Sequence, residues 1–138
     1  MSMLHDVRVL VVDSNPVLAD CFADTLRRLG YTVRAVHAPE AALDAAQEFL
    51  PDALICEVIM PGINGVDLAN EFAKAHPCCN VLLTTARRSV AEVMEDMPEG
   101  LVNFARKPLN LIDVLEFLAT CHSDRPTIGD RWCVGRTQ

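Results

Sequence analysis

Four polar residues stand at or just past the ends of separate apolar runs: Asp13, Glu57, Thr85 and Lys107. The runs are Val7 to Val12, Ala53 to Cys56, Val81 to Leu83 and Leu101 to Ala105. If the runs are strands of one parallel sheet, their carboxyl ends share an edge, where open α/β folds build their sites. Two carboxylates, a hydroxyl and an ammonium would then meet in one pocket. Carboxylates crowded into a poorly hydrated site repel each other and welcome a cation. Here Asp13 and Glu57 against Lys107 leave a net charge of only −1, so that demand is mild.

The elements that must position them alternate. Val7 to Val12 is nearly continuous and β-branched, as in a strand covered on both faces. Asp13-Ser14-Asn15-Pro16 supplies cap residues and a helix-starting proline. Val17, Leu18, Cys21, Phe22, Thr25, Leu26 and Leu29 follow at helical spacing, and Gly30 ends the helix. Tyr31 to Val36 alternates, as in an edge strand. A helix runs from near Pro39 to before Pro51, then a buried strand from Asp52 to Cys56. A loop with Pro61, Gly62, Asn64 and Gly65 leads to a helix carrying Val66, Ala69, Phe72 and Ala73. A fourth strand is expected over Val81 to Thr84, a short helix over Ser89 to Met97, and a fifth strand over Leu101 to Ala105. A last helix holds Leu111, Ile112, Leu115 and Leu118.

Five βα units are too few for an eight-stranded barrel. A doubly wound α/β sandwich of flavodoxin type remains, with five parallel strands in the order 2-1-3-4-5 and helices on both faces. With 138 residues one domain is expected over 1–121, followed by a tail, 122–138, that is no separate output domain. The apolar runs are too short to cross a bilayer, and no secretory leader is expected. The six cysteines include an adjacent pair, Cys78 and Cys79, and have no metal-binding spacing. They read as structural thiols of a reduced, cytoplasmic protein. A net charge of −7 argues against nucleic acid as a direct partner.

The motifs resemble those of a response-regulator receiver domain over roughly residues 6–121. They are Val9-Leu10-Val11-Val12-Asp13, the stretch from Glu57 to Gly65, Thr85-Ala86 and Lys107-Pro108, in the family's order and spacing. The resemblance implies a partner histidine kinase or phosphotransfer protein, a Mg²⁺ held by acidic residues, and a phosphoryl group accepted at the position of Glu57. It further implies that Thr85 is the switch hydroxyl and Lys107 the phosphate-binding lysine, with a cis peptide between Lys107 and Pro108. Phe104 matches the switch aromatic, and the carbonyl of Ile59 a metal-ligand position.

Two positions depart from the pattern. Glu57 replaces the acceptor aspartate, and Ser14 replaces the second of two adjacent acids. A hydroxyl substitutes poorly for a carboxylate toward Mg²⁺, which demands near-octahedral oxygens. The metal site, Asp13, Ser14, Glu57 and Ile59, is therefore expected to be impaired, with at most weak Mg²⁺ binding and no other cofactor. Glu57 is longer than aspartate by one methylene, about 1.5 Å, and should reach toward Lys107 and Thr85. It would then either imitate a phosphorylated state in part or form a static ion pair; the residues leave both open.

The expected function is that of a stand-alone receiver-like signalling protein, not an enzyme. It would be phosphorylation-independent or locked by Glu57, acting through protein contacts that include a homodimer through the 87–120 face. Two alternatives stand beside it: a working phosphoacceptor, or a small anion- or nucleotide-binding module on the same fold.

Overall fold

The computed structural model describes residues 7–60, 62, 64–85 and 102–121. The strands are β1 (Arg8–Val12), β2 (Thr32–Val36), β3 (Ala53–Glu57), β4 (Asn80–Thr85) and β5 (Val102–Arg106). The helices are α1 (Pro16–Arg28), α2 (Pro39–Phe49), α3 (Gly65–Ala75) and α4 (Leu111–Ala119). All strands are parallel, in the order β2-β1-β3-β4-β5, as expected. The helix expected over Ser89 to Met97, the 87–101 part of the expected dimer face and the tail lie outside the described residues.

Alternate residues of each strand face opposite layers. Leu10, Val12, Leu54, Cys56 and Leu83 pack under α2 and α3 with Ala46, Phe49, Leu68 and Phe72. Val9, Val11, Ile55 and Leu82 pack under α1 and α4 with Ala23, Leu26, Val114 and Phe117. Covering on both faces is what makes β1 and β3 read as continuous apolar runs.

Local chemistry ends the elements where the site needs them to end. Asn15 caps α1, its side-chain oxygen accepting from the N–H of Val17 at 3.0 Å and of Leu18 at 3.2 Å. Gly30 closes it with φ +103°, a left-handed position that suits glycine. β3 runs one residue and β4 two residues past the ends of their apolar runs. Glu57 and Thr84 are register partners, and backbone pairing does not depend on side-chain polarity. Both Glu57 and Thr85 are consequently the last residues of their strands.

The cysteines divide. Cys21, Cys56, Cys79 and Cys121 lie outside any disulfide, whereas Cys78 is disulfide-bonded. This corrects the reading of all six as thiols. The chain turns between the neighbours: Cys79 is buried against the core while Cys78 is half-buried in the turn before β4.

Leu54 is fully buried in the central strand. Leu54→Ala is expected to cost roughly 2–5 kcal/mol, read as a lowered urea midpoint with the native far-UV spectrum retained.

Candidate functional site

The site lies on the carboxyl edge of the sheet, where the β1–α1 turn, the end of β3 and the residue after β5 meet. Asp13 follows β1 directly, its N–H donating to the Val36 carbonyl at 3.2 Å. Its Oδ1 accepts the Asn15 N–H at 2.9 Å, which tightens the turn and presents Ser14 toward β3. Glu57 ends β3, and the next N–H, of Val58, donates to the Thr84 carbonyl at 2.8 Å.

Gly65 fixes the backbone beneath Glu57. Its N–H donates to the Val58 carbonyl at 2.7 Å. A Cβ at position 65 would fall on the Glu57 carbonyl oxygen and lie 2.8 Å from Val58 Cα. Only glycine lets the start of α3 press this closely on the strand end.

Lys107 closes the site from the other side. Its N–H donates to the Thr85 carbonyl at 2.8 Å, and the Lys107–Pro108 peptide is cis, as the resemblance implied. The ammonium stands 2.8 Å from Asp13 Oδ2 and 3.4 Å from Glu57 Oε2. The three side chains are only 19%, 13% and 18% exposed. Burial by itself lowers the Lys107 pKa, but the hydrogen bonds and charges of Asp13 and Glu57 outweigh it and hold the lysine above its usual value. Beneath the site, burial first and then the charges of Glu57 and Asp13 push the Cys56 thiol far up. That thiol stays protonated and unreactive.

The remaining oxygen of Glu57 is taken by Ser14. Glu57 Oε1 accepts both the Ser14 N–H at 3.0 Å and the Ser14 hydroxyl at 2.9 Å. All four carboxylate oxygens of Asp13 and Glu57 thus have donors within the protein. A Mg²⁺ would need several of those oxygens turned toward it in octahedral array. Among the described residues, no three Asp, Glu, His or Cys side chains come together as a metal cluster. The donor set does not fit the ion.

The other expected site residues are dispersed around this centre. Thr85 is buried at the end of β4, while the described hydrogen bonds of the Glu57 carboxylate go to Ser14 and Lys107. Phe104 is half-buried and packs against the core on the α2–α3 side. Ile59 is half exposed in the loop after β3. Sequence reasoning counted Ser14 as a lost acid and missed it as the donor to Glu57; it also missed Gly65. The available signal was that the resemblance implied acids at both position 14 and position 57, where the sequence has Ser14 and the longer Glu57. Beside the site, a groove of about 600 Å³ runs between Leu18 and Phe22 of α1 and Leu109, with Ile55 and Thr84 among its lining residues.

The family model of the response regulator receiver domain matches residues 9–119. The chain belongs to that family. It is 31% identical over 109 residues to the response regulator MprA of Mycobacterium tuberculosis, covering 79% of this chain and 47% of MprA. The chain therefore spans about half the length of this relative. Among solved structures it is similar to a receiver domain protein of Clostridium thermocellum, with TM-score 0.75, 23% identity and coverage of 82% of this chain and 91% of that one. It is likewise similar to the response regulator TrrA of Thermotoga maritima in complex with Mg²⁺–BeF, with TM-score 0.70, 24% identity and coverage of 82% and 96%. At that identity the structural likeness speaks for the fold.

Two outcomes test this geometry. Gly65→Ala should push the end of β3 aside and cost roughly 1–3 kcal/mol, seen in the urea midpoint. Lys107→Met leaves two carboxylates facing each other; given their partial exposure, the loss near neutral pH should be roughly 1–3 kcal/mol. Because the folded pKa of Lys107 is raised, its stabilisation is complete below the ordinary lysine value of 10.5 and is lost as pH climbs through the folded value. Tyr31, raised by burial and then by Cys121, destabilises in the same alkaline range. The lysine's share is therefore the difference in alkaline slope between wild type and Lys107→Met in urea unfolding; equal slopes would refute the raised value.

Proposed function

We propose that this receiver works in two-component signalling without accepting a phosphoryl group, as a module that binds other proteins. The observation that carries the reading is the state of Glu57. Both of its oxygens are already engaged, by Ser14 and by Lys107, so the acceptor position holds a carboxylate in an internal ion network. Phosphoryl transfer depends on a positioned nucleophile and on charge neutralisation by a metal. The longer side chain displaces the first, and the donor set of the site is unsuited to the second.

The network favours a static ion pair over imitation of a phosphorylated group. A phosphoryl group offers three oxygens and nearly two charges, whereas Glu57 offers two oxygens and one charge. Its ties reach the β1–α1 turn and Lys107. The pocket accordingly stays in one arrangement, needs no Mg²⁺ and performs no catalysis. Its partners are a histidine kinase, a phosphotransfer protein or another signalling protein, together with a homodimer through the 87–120 face. No helix among the described residues is long and apolar enough to cross a membrane. Four reduced cysteines among the described residues support a reducing, cytoplasmic setting; the Cys78 disulfide argues the other way, and a thiol count on freshly isolated protein decides between them.

Intact mass after incubation with Mg²⁺ and acetyl phosphate tests the reading. The wild type is expected to gain nothing while an ordinary receiver treated in parallel gains one phosphoryl group. The double change Ser14→Asp with Glu57→Asp should restore labelling. A wild type that labels would overturn phosphorylation independence, and a double variant that stays unlabelled would sink the residue assignments.

A further inference from the structure

Ser14 and Glu57 depart from the family pattern together, and in the folded protein they touch. Forty-three positions apart, they join the β1–α1 turn to the end of β3 through two hydrogen bonds to one oxygen. Each departure makes sense only beside the other. An aspartate at 57 would draw the carboxylate back by about 1.5 Å, out of hydrogen-bond reach of a hydroxyl now at 2.9 Å. An aspartate at 14 would set a second carboxylate against Glu57 Oε1, and in a site this shielded like charges repel strongly.

We propose that Ser14 is a positioning residue matched to Glu57, its hydroxyl and N–H supplying the link between turn and strand that a divalent cation would otherwise supply. This rests on the reading of the pocket as a cation-independent receiver site. The arrangement balances without an ion. Lys107 neutralises one of the two carboxylates, and the neutral donors of Ser14 and Asn15 satisfy the oxygens that Lys107 does not reach. The link is made by donors of the protein itself, so it stays closed whether or not Mg²⁺ is present. Restoring the acid at position 14 alone should convert a cation-indifferent pocket into a cation-dependent one.

The test is the melting temperature of wild type, Ser14→Asp, Glu57→Asp, the double variant and Ser14→Thr, each with and without Mg²⁺. Wild type and Ser14→Thr are expected to melt at the same temperature and to ignore Mg²⁺. Ser14→Asp should melt lower and recover when Mg²⁺ is added. The costs of the two single changes should fail to add, with a coupling of roughly tenfold in the unfolding equilibrium constant. Additive costs would overturn the matched pair, and so would a wild type that Mg²⁺ stabilises as much as it stabilises Ser14→Asp. Should Glu57→Asp not fold, Ser14→Ala replaces it: a loss of stability for alanine that threonine does not show supports the hydroxyl's role, and equal behaviour of the two refutes it. These readings are independent of acetyl phosphate labelling, so a labelled wild type would remove the phosphorylation-independent reading and leave the pairing to the coupling measurement.

Discussion

The ammonium of Lys107 lies between two carboxylates that would otherwise confront each other at the edge of the sheet. It reaches Asp13 at 2.8 Å and Glu57 at 3.4 Å, and the three side chains come from chain segments as far apart as 94 positions. Placing charge in so shielded a setting is tolerable only when every group has a partner. That constraint accounts for the surrounding detail. The strand ends must align, the turn after β1 must be tight, and the backbone after β5 must bring Lys107 over the sheet edge.

The supports are mostly backbone features. Lys107 is anchored by its N–H to the Thr85 carbonyl, Asp13 by its N–H to Val36, and the residue after Glu57 by the Thr84 carbonyl. Gly65 lets α3 begin directly against β3. The three backbone bonds extend the parallel sheet slightly past its apolar core. The ionic network therefore rests on a scaffold made rigid by two packed layers rather than on mobile loops. The frame around it is held by packing on both faces of the sheet and by backbone pairing at the strand ends.

Much of this was legible in the chain. Apolar runs at regular spacing, with Asn15-Pro16 and Gly30 bracketing the first helix, define the alternating βα order and through it the sheet. Asp13, Glu57 and Lys107 were visible too, as polar residues at or just past the ends of apolar runs. Strand ends were less legible: Glu57 and Thr84 pair through their backbones although their side chains break the apolar pattern. The fate of Cys78 was hidden as well, because adjacent cysteines read alike until the turn before β4 separates them.

By itself the sequence determined the doubly wound architecture, the family pattern and the approach of Asp13, Glu57 and Lys107 at the sheet edge. Local periodicity and turn chemistry suffice for that, since they dictate which segments become strands and in what order they occur. Only the tertiary structure decided that Ser14 donates twice to Glu57, that Lys107 lies closer to Asp13 than to Glu57, and that every carboxylate oxygen finds a donor inside the protein. The links from Ser14 and Lys107 depend on distances of about 3 Å between groups 43 to 94 positions apart, and such distances exist only once the core has packed and set the strand ends side by side.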